Sequence, residues 1–282
     1  MRPGTAASPP NTEAATATGN RMNIATEDRF LPTADGEVFA RRWRTGSRRT
    51  PIVLLHDSLG SVELWRDFPE QLAAASGRDV IAYDRLGYGR SAAHPGGWSN
   101  HFIREEAERY FPPVWQALDS EEFIVLGHSV GGIMAASVAA HHARHCRALI
   151  TVAALAFVED RTLQGIRQAQ ATFAEPAQRD RLNKYHGDKA DWILSAWIDT
   201  WLSESFAGWT LEQSAPAIAC PLLAIHGRND EYGSVAHLER VTALARGPVE
   251  RLLLDGCQHV PHREQPALVL ATVERFLQGL DG

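Results

Sequence analysis

The chain has 282 residues, 44% hydrophobic and 22% charged, with a formal net charge of −6; this fits one α/β domain carrying an insertion and supplies a sizeable core. The acidic balance and scattered basic residues exclude a nucleic-acid or anionic-membrane surface, which needs a basic patch. No apolar run approaches the ~18 residues that would span a bilayer.

Residues 1–26 open with an Ala/Thr/Pro/Gly-rich stretch lacking the apolar centre of a secretion signal. They read as a disordered tail, with Met22 a candidate start and the cytoplasm the expected location. Asp35-Gly36 predicts a hairpin turn into an outer strand over 37–44. Pro51–His56 is a short continuous apolar run, the signature of a strand buried on both faces. A helix-like stretch carries Leu64, Phe68, Leu72 and Ala75, and 79–84 is a strand. Residues 100–118 are predicted helical, 123–127 a strand, 130–143 a helix and 148–152 a strand. The alternation breaks off at 157–215 and resumes with a strand at 221–226, a helix near 234–246, a strand at 249–254 and a closing helix at 265–279.

Short apolar strands alternating with helices imply an α/β fold: a mostly parallel twisted sheet with helices on both faces. Residues 27–156 would form the first part of the core and 216–282 the second. Residues 157–215, with their own helical pattern, are expected to be a helical cap.

The strongest local feature is Gly127-His128-Ser129-Val130-Gly131-Gly132, set between a predicted strand and a predicted helix. A serine on so tight a turn needs small neighbours, and it points Oγ toward a helix N-terminus whose free N–H groups can hold an oxyanion. Serine also needs a general base. His259, in the loop after the last predicted strand, is the candidate, with His262 as its rival. A carboxylate must fix the imidazole tautomer; Asp230, just past the strand ending at 226, fits, with Glu231 and Asp160 as alternatives.

With the order Ser–Asp–His established, the chain resembles the α/β-hydrolase superfamily over roughly residues 30–280. His56-Asp57-Ser58-Leu59-Gly60 stands where that family has its His-Gly oxyanion loop. Asp84-Arg85-Leu86-Gly87-Tyr88-Gly89-Arg90-Ser91 matches its Asp-x-x-Gly-x-Gly-x-Ser turn, and Pro221–Asp230 its strand-and-acid segment. The resemblance implies an oxyanion hole made by the backbone N–H groups of Ser58 and Val130. It also implies a serine hydrolase rather than a haloalkane dehalogenase or epoxide hydrolase, which need an aspartate at position 129. Asp57 departs from the family's usual glycine: a carboxylate there would repel an anionic intermediate or bind a substrate amine. Gln258, where glycine often precedes the histidine, affects the loop only locally.

Asp57, His128, Trp197 and Trp201 are candidates for the substrate pocket. Trp192, Trp197, Trp201 and Trp209 all fall in the predicted cap, whose wide apolar face suits packing on the core or an apolar acyl pocket. Tyr185, His186, Asp188, Lys189 and Asp191 are candidates for a polar substrate end. His141, His142, His145 and Cys146 sit at a helix end, where histidine is favourable without a metal. Cys146, Cys220 and Cys257 show no close Cys–Cys spacing, so neither a disulfide framework nor a zinc signature is indicated, and no metal or cofactor is expected. The expected partner is a small or medium carboxylic ester or thioester, cleaved through an acyl-serine. A carbon–carbon hydrolase of β-diketone-like ring-cleavage products would use the same triad, and a non-catalytic ligand-binding member is the remaining alternative.

Overall fold

The computed structural model describes residues 24–281. Eight strands form one sheet: β1 (Ala25–Thr33), β2 (Gly36–Arg44), β3 (Ile52–Leu55), β4 (Val80–Tyr83), β5 (Phe123–His128), β6 (Cys146–Val152), β7 (Leu222–Gly227) and β8 (Val249–Leu254). Their order is β1-β2-β4-β3-β5-β6-β7-β8. The β1/β2 and β2/β4 pairs are antiparallel, and every other pair is parallel.

β3 shows why these residues make a central strand. All four of its side chains are buried, and they alternate between two cores because successive Cβ atoms leave a strand on opposite faces. Val53 and Leu55 join one core with Val125 and Leu149; Ile52 and Leu54 join the other with Ile124 and Ile150. The second core is closed by α1 (Phe68–Ser76), contributing Phe68, Leu72 and Ala73. The helical stretch α2 (Phe102–Glu105), a π-turn (Glu106–Tyr110) and α3 (Phe111–Gln116) close the first, with α4 (Val130–His141), whose residues 130–139 are all buried.

Between β6 and β7 stand α5 (Asp160–Phe173), α6 (Pro176–His186) and α7 (Ala190–Leu202). The base of this insertion is cinched where Phe157 bridges Thr210 and the Leu211 N–H donates to the Ala156 carbonyl. α8 (Val235–Ala243), the short α9 (Pro261–Glu264) and α10 (Pro266–Gln278) complete the chain, α10 adding Val269, Val273 and Phe276 to the second core.

The hairpin turn predicted at Asp35-Gly36 has a two-residue loop, Ala34-Asp35, between the paired Thr33 and Gly36. The predicted tail boundary at residue 26 needs correction. Residues 1–23 lie outside the described residues, but Ala25 and Thr26 already pair with Arg44 and Trp43 in β1. β1 escaped the apolar-run criterion because it is an edge strand with mostly exposed side chains, including Asp28, which takes Arg41 and Arg90.

Candidate active site

The carboxyl ends of β3, β5, β7 and β8 open on one edge of the sheet, and each delivers one part of the site. β5 runs into Ser129, which has φ 56° and ψ −121° although it is not glycine. Such a conformation costs on the order of 1–3 kcal/mol and persists only where the surroundings enforce it. They do so by close packing. A Cβ on Gly127 would stand 2.0 Å from the Gly131 carbonyl oxygen, and one on Gly131 would stand 2.1 Å from that of Leu55. Only glycine at both positions lets α4 start directly behind the turn.

The Ser129 Oγ lies 2.9 Å from His259 Nε2. His259 Nδ1 lies 2.9 and 2.8 Å from the two Asp230 carboxylate oxygens, so it carries the proton and leaves Nε2 as the acceptor facing the serine. Asp230 is fully buried, and its Oδ1 also accepts the Tyr232 and Gly233 N–H groups. Burial alone would depress His259, but the hydrogen bond and charge of Asp230, with Glu231 and Asp57 nearby, raise it above the ordinary histidine value. Burial would likewise raise Asp230, but its bond to His259 and that ring's charge hold it below the usual carboxylate range.

The rival groups fall elsewhere. His262 is packed among Trp65, Phe68 and His128, away from Ser129. Glu231 accepts the backbone N–H of His259 at 3.2 Å rather than its ring. Asp160 begins α5 and does not bond the imidazole. Glu264, in the short α9, supports the base from outside the triad. Its carboxylate accepts the N–H groups of Gln258 and Val260, bracing the loop on both sides of His259.

On the β3 side, Ser58 is buried against the site. Among the described residues, the N–H groups of Ser58 and Val130 donate to no protein acceptor; Val130 is the first residue of α4, where such donors are free by construction. Both oxygens of Asp57 are engaged: Oδ1 accepts the Leu59 N–H and Oδ2 faces His128 Nδ1 at 3.2 Å. His128 Nε2 donates to the His259 carbonyl at 2.8 Å, so this ring ties the β3 loop to the β8 loop across the turn. Burial would push the Asp57 carboxyl up, yet the hydrogen bond and charge of His128 hold it well below its usual range.

These residues floor a cleft enclosing about 760 Å³ of solvent-open space, walled by Leu155, Ile166, Trp197 and Tyr232. Its lining contains the carboxylates Asp57 and Glu231 and no Lys or Arg. Trp197 and His128 line the cleft. Trp201 does not: it is fully buried against Phe206 and Trp209, where the chain returns under α7. Trp192 covers Gly87 and donates to the Gly96 carbonyl. None of Tyr185, His186, Asp188, Lys189 and Asp191 lines the cleft; His186 instead accepts from the Gly89 N–H and donates to the Leu59 carbonyl. Leu155, Ile166 and Tyr232 were missed because they come from three separate segments with no shared spacing.

The remaining sequence candidates have structural partners. His141, His142 and His145 each bond a different backbone carbonyl, of Ser137, Ala107 and Glu121. Asp84 accepts the Val62 and Arg90 N–H groups, and Ser91 bridges the Asp84 carbonyl and the Phe39 N–H. No helix among the described residues is long and apolar enough to cross a membrane.

A family model described as alpha/beta hydrolase fold matches residues 50–197. The chain is 27% identical over 242 residues to the serine hydrolase BPHL of Mus musculus, covering 83% of this chain and 81% of that protein. It is 29% identical over 108 residues to the proline iminopeptidase of Lactobacillus delbrueckii subsp. lactis, covering 38% of this chain and 37% of the relative. Among solved structures, a serine hydrolase involved in carbazole degradation, the CarC enzyme, superposes with a TM-score of 0.67 at 20% identity, covering 90% of this chain and 99% of that one.

Proposed function

The chain belongs to the α/β hydrolase fold family, and from that premise we propose that it is a serine hydrolase cleaving a small or medium carboxylic ester or thioester. The observation that carries this reading is the unbroken line from Ser129 Oγ through the His259 ring to the buried Asp230 carboxylate, at the floor of an apolar-walled cleft.

In this mechanism Ser129 Oγ attacks the acyl carbonyl while His259 Nε2 takes the hydroxyl proton. Asp230 holds the tautomer and balances the imidazolium. The tetrahedral oxyanion is held by the free N–H groups of Ser58 and Val130. His259 then hands its proton to the leaving alcohol or thiol, whose bond to the acyl carbon breaks. Water, deprotonated by the same ring, attacks the acyl-serine; the acyl–Oγ bond breaks, the ring returns its proton to Ser129 Oγ, and the acid leaves. Leu155, Ile166, Trp197 and Tyr232 favour an apolar or aromatic acyl group, and the α5–α7 insertion serves as the cap over it. The two lining carboxylates, with no lining cation, favour a neutral or cationic substrate over an anionic one.

Initial rates on a panel of p-nitrophenyl esters and acyl thioesters, with Ser129→Ala alongside, test this reading. Turnover of one acyl class by the wild type alone is the expected result. A second reading uses the same triad on a carbon–carbon bond of a β-diketone-like ring-cleavage product; the likeness to a serine hydrolase involved in carbazole degradation favours testing it. Turnover of such a diketone, with every ester and thioester inert, would replace the first reading with the second.

A further inference from the structure

The Asp84–Ser91 turn contains one residue that its structural role leaves unexplained. Arg85 is only 2% exposed, yet among the described residues its guanidinium makes no salt bridge; the buried Glu106 carboxylate feels its charge without bonding it. It lies over the Tyr88 ring at 4.2 Å, and its Nε has no partner. A buried guanidinium is costly unless something needs it there. Its Nη2 donates to the backbone carbonyl of Asp57 at 2.9 Å.

That carbonyl is unusually well served. It also accepts from His56 Nδ1 at 2.8 Å and from the Gly60 N–H at 3.2 Å. The tautomer of His56 is fixed by the same turn: the Arg85 N–H donates to His56 Nε2 at 3.1 Å, so Nδ1 must carry the proton. Burial and the neighbouring Arg85 charge keep His56 well below the ordinary histidine value, and so neutral.

The Asp57 carbonyl and the Ser58 N–H are two ends of one planar trans peptide, so they point in opposite directions. Anchoring the oxygen away from the cleft fixes where the N–H points, and donors on the oxygen polarise the amide further. We infer that Arg85 and His56 are positioning residues for the oxyanion hole, acting through the Asp57–Ser58 peptide rather than on substrate. This rests on the serine-hydrolase reading of the site.

The test compares an oxo ester with its thiono analogue, whose sulfur accepts hydrogen bonds poorly and so draws little from the hole. In Arg85→Gln and His56→Asn, kcat on the oxo ester should fall ~10–100-fold, below the 10²–10³-fold of losing a hole donor outright. KM should change little, and the oxo-to-thiono rate ratio should shrink in proportion to kcat. Arg85→Lys, keeping charge and one donor, should recover part of the ratio. The two sites are independent probes of one carbonyl, so a failure of either variant to fold leaves the other to decide. An unchanged ratio in a folded variant, with oxo and thiono rates falling together, would overturn the proposal. Labelling of wild-type Ser129 by a fluorophosphonate separates the cases: no labelling removes the serine-hydrolase reading itself, whereas labelling with an unmoved ratio removes only the role of Arg85 and His56.

Discussion

The two walls of the cleft are built by different means. At the sheet edge, the turn around Ser129 and the loop at Gly227 are held by backbone against backbone: an added Cβ would meet carbonyl oxygens at 2.0–2.1 Å at Gly127, Gly131 and Gly227. In the insertion between β6 and β7 the work is done by side chains: Trp197 and Ile166 face the cleft, a Cβ on Gly165 would meet the Tyr232 ring at 2.8 Å, and Gly187 and Gly208 have nothing within 4 Å. Geometry fixed by backbone contact has few alternatives, whereas a side-chain wall can be repacked. On the proposed function, the chemistry would belong to the first kind of construction and the choice of acyl group to the second.

The sharpest way to break that contrast is at the reacting atoms. Ser129→Ala or His259→Ala should each lower kcat on the order of 10⁶-fold with the fold intact, and the double variant should be little worse. Steady-state rates with circular dichroism check this; independent, multiplying losses would mean the two do not act as a unit. Asp230→Asn should cost ~10³–10⁴-fold, because the amide favours the wrong imidazole tautomer. It should also move the pH profile. His259 must be neutral to accept the serine proton, and Asp230 raises it, so wild-type kcat/KM should climb with pH through a value above the ordinary ~6.5. Removing the carboxylate shifts the remaining activity's limb to lower pH.

Glycine substitutions compare the two walls directly. Gly127→Ala should destabilise by roughly 3 kcal/mol or more, since the Gly131–Gly132 peptide it meets is held at the start of α4 and cannot retreat. Gly208→Ala in the insertion should stay within about 0.5 kcal/mol. Denaturant midpoints measure both, and equal effects would erase the distinction. Between these two in size, Trp197→Ala should raise KM for aromatic acyl esters about tenfold, the equivalent of ~1.4 kcal/mol of lost contact, while kcat holds.

The same difference in construction explains what could be seen in the sequence. β3, β5 and β7 are legible because burial on both faces demands unbroken apolar runs. Ser129 is legible because its strained turn requires glycine two residues to either side, at 127 and 131, and Asp230 and His259 because each follows a recognisable strand. β1 left no such mark, since edge residues such as Glu27 and Asp28 pair with arginines at the surface. The π-turn at Glu106–Tyr110 was equally silent; it serves a tertiary contact, the buried Glu106 meeting the Tyr83 hydroxyl at 2.5 Å. Trp197 and Trp201 share a helix and a residue type, yet only one reaches the cleft, because Phe206 and Trp209 return beneath the other. Arg85 reads as part of a turn until the position of the Asp57 carbonyl is known.

Whether Ser129 is a nucleophile activated by His259 is decided by treating the folded protein with a fluorophosphonate and measuring intact mass and peptide map. The account predicts one adduct per chain, on the peptide containing Ser129, absent in Ser129→Ala and formed far more slowly in His259→Ala. An unlabelled folded protein, or an adduct elsewhere that survives Ser129→Ala, would contradict it.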